Sequence, residues 1–161
     1  MKVYHGGTEV IKRPEASKGR LGLDFGQGFY VTDIQSQAES WADRMARIRM
    51  ESGIVCVYDF DIDTAKKQCC YKKFDEYDET WLEFIVANRQ EAYRGETYDI
   101  IEGGVANDRV IDTVEAYMAH LMPLEAALQE LSKHRPNNQI CICSQEVLDN
   151  HLHFVESYNI R

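Results

Sequence analysis

The stretch Asp24-Phe-Gly-Gln-Gly-Phe-Tyr30-Val-Thr-Asp-Ile-Gln-Ser-Gln-Ala-Glu-Ser-Trp41 sets two aromatic rings eleven positions apart. Tyr30 closes a β-prone run behind a glycine turn, and Trp41 falls in a helical segment about two and a half turns from its start. If that helix folds back on the strand, the two rings face each other across a slot that fits one flat ligand. A ring face attracts a cation by roughly 0.5–2 kcal/mol, depending on desolvation. Nicotinamidium is both planar and cationic, and the attraction ends once nicotinamide leaves as a neutral molecule. Phe29, next to Tyr30, is counted among the residues around such a ligand.

The elements that must hold this slot follow from spacing. Residues 2–5 read as a short strand that carries His5 and opens on Gly6-Gly7. Residues 10–28 lack apolar periodicity and read as a long binding loop. Its Lys12, Arg13, Lys18 and Arg20 suit a pyrophosphate or an acidic acceptor, with Arg20 the cofactor contact. Thr32 and Gln35 read as a capping box for a helix whose Ala38, Trp41, Ala42, Met45 and Ile48 share a face. Further on come a strand over 53–61, a helix over 80–92 capped by Thr80 with Glu83, and a strand over 98–101 ending at Gly103-Gly104. A helix marked by Val110, Val114, Tyr117, Met118 and Leu121 follows, and Pro123 starts another. The chain closes with an apolar strand over 139–143, a helix capped by Ser144, and a last strand over 151–155. Mixed elements of this kind predict an α+β fold, and no linker or repeat divides the single domain over 1–161.

Composition narrows the classes. The chain has 161 residues, 44% of them hydrophobic, enough for one core without metal or disulfide support. Its five cysteines lack zinc-site spacing and are expected to be reduced. Cys69-Cys70 among lysines is assigned no role. No stretch approaches the ~20 apolar residues of a membrane span, so a cytoplasmic protein is expected. The net charge is -9, but residues 1–50 hold eight Lys or Arg against six Asp or Glu, so that third is the part able to face an anion. The chain lacks the broad basic footprint of a nucleic-acid binder. Asp24-Phe-Gly26 is too near the N-terminus for a kinase, and Gly26-x-Gly28 precedes a strand, unlike a dinucleotide fingerprint. His151 and His153 read as one face of the last strand without a third metal ligand.

Tyr4-His5-Gly6-Gly7, Phe25-Gly-x-Gly-x-Tyr30 and Ala38-x-x-Trp41 together resemble the first two blocks of the His-Tyr-Glu ADP-ribosyltransferases, the branch that contains diphtheria toxin and the poly(ADP-ribose) polymerases. Over nearly its whole length the chain resembles the bacterial DUF3990 family, through its DFG-x-GFY-x-T block, the DIIEG-x-VAND run and a closing QI strand. The resemblance implies a split, strongly bent β-sheet core and NAD+ as co-substrate, with no metal. It implies that His5 hydrogen-bonds the adenosine ribose, that the Gly6 backbone holds the nicotinamide carboxamide, and that Tyr30 and Trp41 stack the ring.

The family's glutamate falls on Gln139. A carboxylate there binds a ribose hydroxyl and stabilises an oxocarbenium-like charge, whereas an amide does only the first. Asp108, or failing that Asp99, is expected to supply the missing charge. The function expected is mono-ADP-ribosylation of a macromolecular acceptor, protein or nucleic acid, as a toxin with an antitoxin partner or a phage-defence effector. Glutamine in place of glutamate argues against chain elongation. A non-catalytic NAD+ or ADP-ribose binding module and an NAD+ glycohydrolase are the alternatives.

Overall fold

A computed structural model describes residues 1–106 and 108–161, the side chain of Asp108 excepted. In chain order the elements are β1 (Lys2–Gly7), β2 (Phe29–Val31), α1 (Gln35–Arg49), β3 (Ile54–Phe60), α2 (Ile62–Gln68), β4 (Tyr71–Lys73), α3 (Glu79–Arg89), β5 (Ile100–Gly103), α4 (Asp108–Met118), α5 (Leu124–Leu131), β6 (Gln139–Ile142), α6 (Gln145–His151) and β7 (Leu152–Asn159). A short 3-10 turn, Ala16–Lys18, interrupts the long first loop.

The strands form two sheets, of order β1-β3-β7 and β2-β6-β5-β4. The first is antiparallel throughout, and the second is antiparallel except for the parallel β4–β5 pair. One isolated bridge joins them: Tyr4 N donates to Thr32 O at 2.8 Å and Thr32 N to Tyr4 O at 2.9 Å. Beyond that bridge β1 and β2 belong to separate sheets.

Alternation along each strand builds the layers, because successive side chains point to opposite faces. Val3, Cys56, Tyr58 and Phe60 of the first sheet meet Phe29, Val31, Ile100, Ile140 and Ile142 of the second in one buried core. The opposite face of the first sheet takes α1 through Ala38, Ala42 and Val55. The opposite face of the second is covered by Trp81, Leu82, Ile85, Val110, Val114, Ala127 and Leu131 from α3, α4 and α5. The arrangement is α+β, with helix, sheet, sheet and helices in layers.

Several local expectations are corrected. Thr32 does not cap α1: its hydroxyl donates to Asn138 O at 2.7 Å and accepts from Ile34 N at 3.1 Å, and Ile34 is the residue before the helix. The strand bridge holds Thr32 in place, so the helix begins later than a capping box requires. Asp78, not Thr80, caps α3, accepting from Trp81 N at 2.9 Å. Ser144 caps α6 as expected. His151 ends that helix, so it and His153 do not share a strand face.

Candidate functional site

The bridge at Tyr4 determines which way the β1 backbone points. Tyr4 directs its N–H and C=O at β2; in an antiparallel strand the residue two positions on does the same. Gly6 therefore turns its N–H and C=O away from β3 and into the gap where β1 and β2 have separated. No partner for either group is found among the described residues. Gly6 also faces α1 at very short range: a Cβ there would lie 2.0 Å from Ala38 O and 2.9 Å from Ala42 N. No residue with a side chain fits, so glycine is what lets the helix lie against the split.

Tyr30 C=O points into the same gap from the β2 side, and His5 Nδ1 bonds to it at 2.7 Å. A carbonyl only accepts, so Nδ1 carries the proton and Nε2 of the neutral ring is left as an acceptor. Burial lowers the His5 pKa from its ordinary 6.5, and the bond to Tyr30 only partly opposes this. His5 is therefore neutral at pH 7. Its ring stacks on Phe29 at 4.5 Å. Phe29, 6% exposed and edge-on to Tyr58, belongs to the core and packs against His5.

Tyr30 offers its ring and not its hydroxyl. The hydroxyl donates to Gly26 O at 2.6 Å and accepts from Phe25 N at 3.1 Å, closing the turn that precedes β2. Burial drives the phenol far above its ordinary pKa, which removes it from acid–base work. Tyr30 lies opposite Cys141 on β6, and Gln139, two residues earlier, projects from the same face. Trp41 is 43% exposed, with Arg44 over its ring at 5.6 Å. It sits one turn beyond Gln37, whose side-chain amide donates to Asn138 O at 3.0 Å. That flank of α1 therefore looks towards the start of β6. The Gln37 flank of α1 is thus joined to the residue before Gln139, and Tyr30 lies on the Gln139 face of the second sheet.

Other expected residues fall elsewhere. Asp99 accepts from Cys70 N at 2.8 Å at the head of β5, whereas Gly103 at its far end is the residue opposite Gln139. Four residues of strand span about 13 Å, so Asp99 cannot stand in for a carboxylate at Gln139. The Asp108 side chain, the other acid expected to help, lies outside the described residues. Arg20 is exposed, in a loop that Gln27 pins by donating to Ser17 O at 2.9 Å and Gly19 O at 2.8 Å.

Two positioning groups were given no role by the sequence. Asn138, directly before Gln139, accepts from Thr32 and Gln37 through its carbonyl. Its amide donates to Asp33 at 2.9 Å and to buried Glu102 at 3.1 Å. Glu102 also accepts from the Tyr71 hydroxyl. Gln139 is thus held by a residue tied to the end of β2, to α1 and to β5. Asp24, 5% exposed, accepts from Arg89 Nε at 2.5 Å and from Ala106 N at 2.6 Å, locking the glycine turn to α3 and to the segment after β5. The only signal for either was an Asn pair before an apolar strand and an acid in a loop, patterns that also describe plain turns.

The fold is a two-sheet α+β arrangement in which β1 and β2 part beside His5 and the buried backbone of Gly6. The model of a family described as "Protein of unknown function (DUF3990)" matches residues 1–154, and the chain belongs to that family. No curated protein and no solved structure matches it. Among the described residues no helix is long and apolar enough to cross a membrane.

Proposed function

We propose that this protein is an NAD+-dependent mono-ADP-ribosyltransferase, releasing nicotinamide and passing ADP-ribose to a macromolecular acceptor. The observation that carries this reading is Gly6, which presents an N–H and a C=O side by side in the split. A carboxamide has the complementary pair, an oxygen that accepts and an NH2 that donates, and satisfies both at once. An unpaired backbone pair in a water-poor gap favours such a ligand over an apolar one. On this reading the Tyr30 ring and Trp41 flank the ligand, and a planar cation is the species that gains from ring faces.

The remaining groups extend the fit along the molecule. Neutral His5 accepts a ribose hydroxyl hydrogen at Nε2. Gln139, steadied by Asn138, accepts from a hydroxyl of the nicotinamide ribose. The bond between the anomeric carbon and the nicotinamide nitrogen then breaks, its electron pair leaving with neutral nicotinamide. An acceptor nucleophile attacks the anomeric carbon from the opposite face and gives up its proton to solvent. Gln139 adds no negative charge to the oxocarbenium-like state. Gln139→Glu should therefore raise turnover by on the order of tenfold or more, as an added electrostatic contact would.

The glutamine also favours a second reading, a module that binds NAD+ or ADP-ribose without reaction. Incubation of the purified chain with radiolabelled NAD+ and bacterial lysate separates the readings, with Trp41→Ala as the control that leaves the core intact. Covalent label that is weakened in the variant supports transfer, and protease or nuclease sensitivity sorts the acceptor. Nicotinamide release without label supports hydrolysis. Binding with neither supports the module, and absence of binding overturns the NAD+ reading.

A further inference from the structure

At the end of β6 away from Gln139, Cys141 and Cys143 lie on one face of the strand with their sulfurs 3.6 Å apart. Cys141 is fully buried, while Cys143 lines an open cavity of about 580 Å3 together with Glu15, Ala16, Ser17, Gln27 and Gln145. One thiol is thus reachable from solvent, and the other is reachable only through it. We propose that Cys141 and Cys143 form a dithiol modification site that a hydroperoxide closes to a disulfide, with Cys143 as the attacking thiol.

Geometry permits the closure. Two strand residues in i,i+2 relation have Cα atoms about 6.6 Å apart, inside the range that disulfides span. Cys143 lies just past the last strand residue, Ile142, with its N–H held by Asp99 O at 2.8 Å, so the sulfurs, 3.6 Å apart, close mainly by side-chain rotation. The division of roles follows from surroundings. The hydrogen bond from Cys141 holds the Cys143 thiol below its ordinary pKa, while burial pushes Cys141 well above it. The thiolate is the reactive species, so Cys143 reacts first. Its sulfur attacks one peroxide oxygen, the O–O bond breaks, and the other oxygen leaves as water or an alcohol, giving a sulfenic acid. The Cys141 sulfur then attacks the sulfenic sulfur, and hydroxide departs with the Cys141 proton as water. Two thiols are oxidised and one hydroperoxide is reduced.

Cys141 has a structural reach that the other thiols lack. A Cβ on Gly28 would come within 2.6 Å of its sulfur, so that sulfur rests directly on the residue before β2, the strand that carries Tyr30. Closing the disulfide draws it off Gly28 towards the cavity. Cys69 and Cys70 are the competing pair: Cys70 is exposed, and burial raises the Cys69 thiol pKa. The proposal concerns the thiols alone and stands independently of the NAD+ reading.

The test treats the full chain with a stoichiometric amount of hydrogen peroxide and follows intact mass and fragment spectra without reductant. The expected product is a monomer lacking two hydrogens, with the loss located between Cys141 and Cys143 and reversed by dithiothreitol. Cys143→Ser should reduce that product to background, and the double variant Cys69→Ser, Cys70→Ser should retain it. Arrest of Cys143 as a sulfinic acid, oxidation carried by Cys69 and Cys70 alone, or thiols that stay reduced would each overturn the proposal. The wild-type spectra decide the matter even if a variant folds poorly.

Discussion

α1 and the α3–α5 layer cover the two joined sheets in opposite ways. α1 presents Ala38 and Ala42 to Gly6 and Val55, small groups that bring helix backbone within contact of strand backbone. The α3–α5 layer presents Trp81 and Phe84, packed with Tyr77, Phe74 and Phe25 from neighbouring loops, rings that fill a wide space. Bulk covers the second sheet, whereas α1 reaches the first sheet by close approach to the buried Gly6. The difference shows two ways of covering a sheet: the α1 contact is alanine against glycine, and the helix carries its aromatic ring, Trp41, on the exposed flank.

The largest effect that bears on this contrast is on the sealed side. Trp81 is 0% exposed, and its indole N–H donates to Gly104 O at 2.7 Å. Trp81→Ala should cost about 3–5 kcal/mol by opening a cavity, and it also strips a donor from a buried carbonyl. Urea unfolding at fixed pH measures it, and a loss below about 1 kcal/mol would mean that the aromatic layer is not packed as described. Gly6→Ala comes next. The added methyl meets helix backbone that has no side chain to move aside, a cost of about 1–3 kcal/mol. NAD+ binding, read by calorimetry on the folded variant, should be lost, because α1 must lift away from the split. A variant that folds and binds NAD+ normally would break the contrast between the two layers.

The histidine between the layers gives a smaller effect with a definite sign. Burial lowers the folded-state pKa of His5 below 6.5, so the unfolded chain takes up the proton first as the solution is acidified. The stability from neutral His5 is fully present above pH 6.5 and is lost as the pH falls from there towards the folded-state value. His5→Asn keeps an N–H for Tyr30 O but cannot titrate in this range. Unfolding curves across pH 7 to 5 should fall less steeply for this variant than for the parent chain. Equal slopes would mean that His5 is solvated and free to charge, and the neutral acceptor assigned to Nε2 would go with it.

Much of the frame was legible because it rests on local signals. Alternating apolar residues marked β3 and β6, a serine marked α6, and the glycine, tyrosine and tryptophan spacing marked β2 and α1. Signals failed where a tertiary bond outranked a local one. Thr32 has the identity of a cap, but the bridge to Tyr4 turns its hydroxyl towards Asn138. α2 was missed because its seven residues, IDTAKKQ, are too short for periodicity to register, although Asp61 caps it. His5 and Gly6 were marked by motif, but the directions their polar atoms take come from where two strands part. Asn138 could not be found from sequence, since its importance lies in four partners spread over Asp33, Thr32, Gln37 and Glu102.

The smallest expected effect is the one that most sharpens the contrast. Trp41 is the aromatic residue of the open side, and with nearly half its surface in water its removal should change stability by no more than about 0.5 kcal/mol. Its contribution should appear only when a planar cation is present. Trp41→Ala is expected to weaken NAD+ binding by about 0.5–2 kcal/mol, a loss of roughly twofold to thirtyfold. The reduced cofactor isolates the cause: NADH carries the same carboxamide for Gly6 but a neutral, non-aromatic ring. The parent chain should therefore prefer NAD+ to NADH, and the variant should lose most of that preference while its affinity for NADH stays nearly unchanged. Equal losses for both cofactors would mean that Trp41 supplies only apolar contact, and that the open side of the fold selects for shape and not for charge.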